Sequence, residues 1–164
     1  MLKSKHLIGL EHFPVSDLNK IIDTSFKFKD ILQTESRKAI LLKGKTIVNM
    51  FFENSTRTKI SFSLAEKRLG ADSINFSAST SSVKKGETLK DTVQNIESMK
   101  IDGAVIRHGH PGSALKLTEY IDGAVINAGD GSHEHPTQAI LDMVTLKRNL
   151  EKLKVLKLES SVIF

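Results

Sequence analysis

The pattern of apolar positions divides the chain into strands and helices that alternate along most of its length. A continuous apolar run over residues 46–52 predicts a buried β-strand, because it is rich in β-branched and aromatic side chains. A helix follows it directly and is expected to stop at Gly70. Its apolar stripe consists of Ile60, Leu64, Ala65 and Leu69. Before the strand, a long amphipathic helix is predicted to open at residues 15–17.

The second half of the chain contains an internal echo. The sequence Ile-Asp-Gly-Ala-Val-Ile occupies residues 101–106 and again residues 121–126. The interval between the copies is long enough for a short crossover helix, so the two copies are predicted to be neighbouring parallel strands. A short strand over residues 73–76 and a helix beginning at Thr88 are predicted to precede them.

A final helix is predicted to begin at Pro136, because proline suits a first helical turn. Its inward-facing residues are expected to be Ile140, Leu141 and Val144. The strand–helix alternation indicates an α/β fold, a single domain built on a doubly wound open parallel sheet with helices on both faces. In such sheets ligands bind beyond the carboxyl ends of the strands, so the residues that follow each strand form the candidate site.

Composition narrows the class of protein only a little. The chain has 164 residues, enough for one ordinary domain, with 39% hydrophobic and 26% charged residues. It has no cysteine, which excludes disulfides and thiolate metal sites and fits a reducing compartment, so a cytoplasmic location is expected. No run is long and apolar enough to suggest a membrane span. The net charge of +5 favours acidic ligands, and the shortage of aromatic residues gives little support to nucleic-acid binding.

The turn Ser55–Thr58, which follows the first strand, carries the most informative chemistry. It supplies three hydroxyls and the Arg57 guanidinium where a strand ends and a helix begins. Free backbone N–H groups and the positive end of the helix dipole meet at such a point, so a phosphate can be held there. The alternative is that Ser or Thr only caps the helix, which is its commoner role. Arg57 in the same turn, and the strand directly before it, favour the phosphate site.

Two further strand ends carry polar side chains. The first copy of the repeat ends in Arg107-His108, and the second runs into a glycine-rich loop that leads to His135. His135 and Gln138 are three residues apart, so both can face the same side at the start of a helix. Arg107 alone could be a surface charge. The histidines could suggest a metal, but no spacing matches a helical histidine pair, so no metal is expected.

Four ordered motifs give the chain a resemblance to a known family. They are Phe-Phe-Glu-Asn-Ser-Thr-Arg-Thr at residues 51–58, the Lys-Lys-Gly-Glu-Thr loop within residues 81–88, Arg107-His108, and His-Pro-Thr-Gln-Ala at residues 135–139. Together they strongly resemble the carbamoyl-phosphate domain of the aspartate carbamoyltransferases, from the first helix to about residue 150. The related ornithine enzymes typically carry cysteine where Thr137 stands, so the resemblance favours aspartate as the acceptor.

The resemblance implies a reaction and a set of site residues. Carbamoyl phosphate would be attacked by the amine of aspartate, a step of pyrimidine biosynthesis, without a metal or an organic cofactor. The residues implied to bind the substrate are Ser55, Thr56, Arg57, Thr58, Ser81, Lys85, Arg107, His135 and Gln138. The residues implied to act in catalysis are Arg57, Thr58, Arg107 and His135, the last three by donating toward the carbonyl oxygen.

The resemblance also implies an assembly. Ser81 and Lys85 match family residues that reach into a neighbouring subunit's site, so a homotrimer with shared active sites is expected. Gln138 matches a residue that holds the carbamoyl NH₂ group. Without the surrounding match, Lys84 and Lys85 would be interpreted as a pair of solvated surface charges.

The resemblance fades after residue 150. Residues 1–150 are expected to be a carbamoyl-phosphate-binding domain, and residues 151–164 the truncated start of the linker to a second domain, which in the family binds the amino acid. Glu53, which in the family helps to hold the two domains closed, is expected to lack a partner. Two classes of function stay open: the donor-binding half of an aspartate or ornithine carbamoyltransferase, inactive alone, or a module that binds carbamoyl phosphate without transferring it.

Overall fold

A computed structural model describes residues 2–77 and 88–153 of the chain. In chain order its elements are α1 (Val15–Ile31), β1 (Thr46–Phe51), α2 (Thr56–Leu69), β2 (Asp72–Ser77), α3 (Leu89–Glu97), β3 (Gly103–His108), α4 (Ser113–Leu117), β4 (Ala124–Asp130) and α5 (Pro136–Leu153). Within the described ranges, no helix is long and apolar enough to cross a lipid bilayer.

The strands form one parallel sheet in the order β2-β1-β3-β4. The chain therefore leaves β1 in one direction to form β2 and then crosses back past β1 to form β3 and β4 on its other side. This is the doubly wound arrangement that the sequence predicts. The two copies of the internal echo are neighbouring parallel strands, since Gly103 pairs with Ala124 in register. Predicted helix limits at Gly70 and Pro136 are also confirmed, Gly70 with the left-handed conformation of a helix end.

The sheet carries helices on both faces, as predicted. Alternate residues of a strand point to opposite faces. On one face, Val48 and Met50 belong to a buried apolar cluster that includes Val93 of α3 and Leu117 of α4. On the other face, Phe51 belongs to a smaller cluster that also contains Val105 and Ala128, with Phe62 of α2 packed against it.

The apolar stripe of α2 does not face the sheet. Ile60 is 60% exposed and Leu64 is 43% exposed, whereas Glu66 is buried and hydrogen-bonds to the buried side chain of Asn49 on β1. A polar strand residue thus selects a polar helix residue as its partner. In α5 the inward placement predicted for Leu141 is wrong, since it is 57% exposed. It lies about 100° around the helix from Ile140, which is buried.

An N-terminal strap, residues 3–10, lies along the outer side of β4. Leu7 forms a parallel bridge with Ile126, donating its N–H to the Val125 carbonyl at 2.9 Å and accepting the Asn127 N–H at 2.8 Å. At the start of the strap, the backbone N–H groups of residues 3 and 4 donate to the buried carboxylate of Asp17 on α1. The strap therefore extends the sheet beyond β4 and is fixed at its start by α1.

Candidate functional site

The carboxyl ends of β1, β3 and β4 lie side by side. Phe51 at the end of β1 pairs with Arg107, and His108 of β3 pairs with Asp130 at the end of β4. The polar residues that follow these strands therefore meet at one edge of the sheet. Among the predicted site residues that the structure describes, the side chains of Arg107 and His135 contact each other, with the Nη1 and Nε2 atoms 3.3 Å apart.

The hydroxyl turn, Ser55–Thr58, leads from β1 into α2. Ser55 occupies the N-cap position, but its side chain makes no capping hydrogen bond. The first N–H groups of a helix have no intrahelical acceptor, so they stay available to a ligand. A cavity of about 320 Å³ lies against the turn, lined by Glu53, Ser55, Thr56 and Lys59 among others. The turn has the hydroxyls, open N–H groups and positive dipole end that an anion requires.

Arg107 and His135 form the second part of the site. The Arg107 Nη1 donates to the Ala128 carbonyl at 2.9 Å and also faces the His135 Nε2. An arginine can only donate, so Nε2 accepts and the proton of neutral His135 sits on Nδ1. The Nδ1 atom lies 3.3 Å from the hydroxyl of Thr137. Both ring nitrogens are thereby fixed by contacts, which orients the imidazole at the entrance to α5.

Electrostatics keep His135 neutral near pH 7. Its side chain is half-buried, and burial lowers its pKa below the usual 6.5. The positive charge of Arg107 lowers the pKa further. In this tautomer the neutral imidazole has one N–H, on Nδ1, to offer to a carbonyl oxygen, and it adds no second positive charge beside the guanidinium.

Glu53 has a partner in this chain, contrary to the sequence-based expectation. Its Oε2 lies 3.4 Å from the Nε of Arg107, so the two side chains form an ion pair. The Arg107 Nε is nevertheless buried and makes no aligned hydrogen bond. The expectation was wrong because Glu53 lies two residues beyond the end of β1, next to the strand end that carries Arg107. The guanidinium thus keeps an unsatisfied donor at the centre of the site.

A buried polar hub behind His135 was missed by sequence reasoning. The hub consists of Asn127 and Asp130, both almost completely inaccessible to solvent. Asp130 accepts hydrogen bonds from the Asn127 amide at 3.0 Å, the Gly112 N–H at 2.8 Å and the Glu134 N–H at 3.1 Å. The available signal was the presence of two polar residues near the end of an otherwise apolar strand, because polar groups that become buried require partners.

Gly129 lies between the hub and the Arg107–His135 pair. Its φ of +117° is a conformation that side-chain-bearing residues rarely adopt. A Cβ atom placed there would lie 2.6 Å from the Arg107 Nη1 and 3.3 Å from the His135 Cδ2. The Asn127 side chain also accepts the Gly129 N–H at 2.8 Å. The absence of a side chain at this position is therefore what lets the guanidinium approach the end of β4.

The remaining predicted residues are placed less centrally. Thr56 and Arg57 are exposed, and the amide of Gln138 donates to Asp142 one turn further along α5. Ser81 and Lys85 lie outside the described residues. In the part of the chain that the structure describes, no group of three or more acidic or histidine side chains is arranged to hold a metal ion.

Sequence comparisons identify relatives of this chain. The profile of the family described as aspartate/ornithine carbamoyltransferase, carbamoyl-P binding domain, matches residues 5–148. The aspartate carbamoyltransferase catalytic subunit of Christiangramia forsetii is 52% identical over 149 residues, covering 91% of this chain and 48% of that protein. The corresponding subunit of Halothermothrix orenii is 49% identical over 153 residues, covering 93% of this chain and 49% of that protein. The chain spans about half the length of these curated relatives.

Solved structures give the same result. Aspartate transcarbamoylase from Trypanosoma cruzi, in complex with carbamoyl phosphate and aspartate, superposes with a TM-score of 0.83 at 35% identity, over 92% of this chain and 46% of that chain. The catalytic subunit of M. jannaschii aspartate transcarbamoylase gives a TM-score of 0.82 at 41% identity, over 90% of this chain and 48% of that one. The fold, the matched profile and the sequence identity agree, and the chain belongs to the aspartate/ornithine carbamoyltransferase family, where it corresponds to the carbamoyl-P binding domain.

Proposed function

We propose that this chain is the carbamoyl-phosphate-binding half of an aspartate carbamoyltransferase. The observation that carries the proposal is the Arg107–His135 pair, 3.3 Å apart and one strand away from the open N-terminus of α2. This arrangement offers donors to a phosphate and to a carbonyl oxygen at the same edge of the sheet. Carbamoyl phosphate carries both groups, separated by one oxygen atom.

The phosphate is proposed to lie on the hydroxyl turn. The N–H groups of the first turn of α2 and its dipole attract the dianion, and the Ser55 hydroxyl makes no capping hydrogen bond. Arg57 is exposed and can fold over the anion, forming charge-assisted hydrogen bonds. Arg107 supplies a second guanidinium, whose Nε lacks a hydrogen bond before ligand binds.

The carbonyl oxygen is proposed to face Arg107, Thr58 and His135. Attack by the amine of aspartate forms a C–N bond and pushes the carbonyl electrons onto this oxygen. Collapse of the intermediate re-forms the carbonyl and breaks the C–O bond to phosphate, which leaves with the bonding electrons and takes up the proton that the attacking nitrogen loses. Preorganised donors lower the barrier because they are strongest when the oxygen is negative. A neutral imidazole held against a guanidinium fits that task.

Aspartate is the proposed acceptor, because the relatives that are 52% and 49% identical to this chain over the matched residues are named aspartate carbamoyltransferases. The residues that bind it are proposed to belong to the part of those relatives that this chain does not match. We also infer a cytoplasmic location from the lack of cysteine. The second candidate is a module that binds carbamoyl phosphate without transferring it.

A titration of two ligands tests the carbonyl assignment. Inorganic phosphate offers only the anion, whereas phosphonoacetamide offers a phosphonate and an amide carbonyl. We expect His135→Ala to weaken phosphonoacetamide about fivefold by calorimetry, the effect of one lost hydrogen bond, and to change phosphate affinity less than twofold. His12→Ala removes an exposed histidine and is the control. Equal losses for both ligands would contradict the role of His135, and no binding of either ligand to the unmodified chain would contradict the proposed function.

The homotrimer with shared sites is tested by mixing. Lys85→Ala and Arg57→Ala chains should each bind phosphonoacetamide poorly. If Lys85 reaches a neighbour's site, a mixture of the two regains tight binding in a fraction of its sites, and sedimentation gives a mass of three chains. Unchanged weak binding in the mixture would argue for unshared sites. In an assay of carbamoyl transfer to aspartate and to ornithine we expect no product from this chain alone, and product formation would exclude the binding module.

A further inference from the structure

The N-terminal strap continues past the end of β4 toward the loop that carries His135. After the Leu7 bridge, the Ile8 carbonyl accepts a hydrogen bond from the Asn127 side chain at 2.8 Å. Two residues later, the Leu10 N–H donates to the Oε2 of Glu134 at 2.9 Å. The strap therefore bonds first to the strand, then to the polar hub, and finally to the residue that precedes His135.

Glu134 is held on three sides. Its N–H donates to the Asp130 side chain at 3.1 Å, and its carbonyl accepts the Asp130 N–H at 3.1 Å. Its carboxylate packs against Gly9, where an added Cβ would lie only 2.7 Å from Oε1. The main chain of Glu134 is thus tied to the hub, and its side chain is tied to the strap.

His135 takes its position from Glu134. The His135 carbonyl accepts the N–H groups of Gln138 and Ala139 at 3.0 and 3.1 Å, so His135 is the residue from which α5 starts. Between the end of β4 and His135 there are only four residues, and Glu134 is the last of them. A shift of Glu134 is therefore transmitted to the imidazole, which contacts Arg107 at 3.3 Å.

We propose that Glu134 is a positioning residue for His135, and that its hydrogen bond to the strap sets where the imidazole stands relative to Arg107. The inference rests on the proposed function, because it assigns the strap a part in polarising the carbonyl of carbamoyl phosphate. Reaction rates and oriented hydrogen bonds are sensitive to displacements of about 1 Å, so one tether beside the imidazole matters although it never touches the ligand. The strap then helps to position the site residues, in addition to extending the sheet beyond β4.

Three variants test the tether. Glu134→Ala removes the acceptor of the Leu10 N–H. Glu134→Gln keeps an acceptor oxygen but removes the charge. Gly9→Ala keeps Glu134 and places a methyl group against its carboxylate. Glu11→Ala, which removes an exposed carboxylate from the neighbouring chain segment, is the matched control.

The first readout is the titration of His135 by NMR without ligand. Burial and Arg107 hold the pKa of His135 low in the native chain, so a displaced ring should titrate closer to its usual value. We expect Glu134→Ala and Gly9→Ala to raise the pKa of His135, with Glu134→Gln and Glu11→Ala unchanged. A purely structural role would lower thermal stability and leave this titration where it was, which would overturn the proposal.

The second readout is the pair of ligands described above. We expect Glu134→Ala to weaken the binding of phosphonoacetamide about fivefold and that of phosphate less than twofold, because one oriented hydrogen bond to the ligand is lost. Equal affinities in Glu134→Ala and the native chain would overturn the positioning role. If the native chain binds neither ligand, the proposed function fails, whereas the NMR titration still decides the tether. If Glu134→Ala does not fold, Gly9→Ala provides both readouts.

Discussion

The two halves of the candidate site are built in opposite ways. In the hydroxyl turn, Thr56 and Arg57 are exposed and the Ser55 side chain makes no capping bond. Around His135, the supporting side chains of Asn127 and Asp130 are almost fully buried, and each makes several hydrogen bonds. One half is open and loosely engaged, whereas the other is fixed before any ligand arrives.

Under the proposed function, the difference follows from what each half recognises. A phosphate dianion is attracted over several ångströms by charges and by a helix dipole, so its partners can close around it. A carbonyl oxygen is neutral before the reaction and gains charge only during it. Donors for such an atom must stand in place beforehand, because moving them during the reaction costs part of the stabilisation. Rigidity is therefore concentrated where charge develops.

The largest expected effect comes from removing the centre of the rigid half. Asp130→Ala removes the carboxylate that accepts from the part-buried N–H groups of Gly112 and Glu134, and it removes one of the acceptors of the buried Asn127 amide. Each buried donor left unsatisfied costs about 1–3 kcal/mol, so we expect the free energy of unfolding to fall by about 3 kcal/mol in urea. Asp122→Ala removes an exposed aspartate and should change it by less than about 0.5 kcal/mol. Similar losses in both variants would show that the hub does not stabilise the fold.

The open half should respond in binding and not in stability. Arg57→Ala is expected to weaken phosphate by about 2 kcal/mol, roughly 30-fold, because a charge-assisted hydrogen bond to an anion is lost. Its free energy of unfolding should stay within about 0.5 kcal/mol of the native value, since Arg57 is exposed. Arg68→Ala, at the other end of the same helix, is the control for net charge. A phosphate affinity that drops as much in Arg68→Ala would mean that long-range charge, and not the turn, holds the anion.

The contrast between the halves also explains what could be read from the sequence. The hydroxyl turn was predictable because its chemistry is local: a strand pattern, three hydroxyls and an arginine stand next to each other. The sheet was predictable for the same reason, since the echo at residues 101–106 and 121–126 marks two strands directly. Periodicity and adjacency are properties of the chain itself.

The hub and the strap could not be predicted in the same way. The contact between Leu10 and Glu134 joins residues 124 positions apart, and nothing in either neighbourhood indicates it. The Glu53–Arg107 pair likewise depends on which strands become neighbours. Leu141 shows a further limit, because apolar residues mark a helix without fixing how far its buried face extends. Such features depend on the finished packing of the elements.

A smaller effect is expected at the junction between the two halves. Gly129→Ala introduces a side chain at φ +117° and brings it within 2.6 Å of the Arg107 Nη1. We expect a loss of about 1–2 kcal/mol in the free energy of unfolding from backbone strain, together with a shift of the guanidinium. The same substitution at Gly44, which has a positive φ but nothing within 4 Å, gives the strain without the clash. If the two variants lose phosphonoacetamide binding equally, the clash with Arg107 has no consequence for the site.

The smallest effect is a pH dependence that distinguishes two buried carboxyls, Glu66 on α2 and Asp130 at the end of β4. Burial raises the pKa of Glu66 above its usual 4.5 and outweighs the hydrogen bonds from Ser73 and Asn49, which lower it. For Asp130 burial acts in the same direction, but hydrogen bonds led by that of Asn127 prevail and lower its pKa below the usual 3.8.

The signs of the two contributions are therefore opposite. A raised pKa means that the folded chain binds the proton more tightly, so the contribution of Glu66 is complete below pH 4.5 and is lost as the pH rises through its folded pKa. The contribution of Asp130 is present above pH 3.8 and is lost as the pH falls through its folded pKa. Glu66→Gln should remove the pH dependence due to Glu66 only. The free energy of unfolding of the native chain should therefore fall relative to that of the variant as the pH rises above 4.5. Glu119→Gln, at an exposed site, should give no such change. A constant difference for Glu66→Gln would mean that the folded chain binds the Glu66 proton no more tightly than the unfolded chain does, and the opposite signs of the two carboxyls would then not hold.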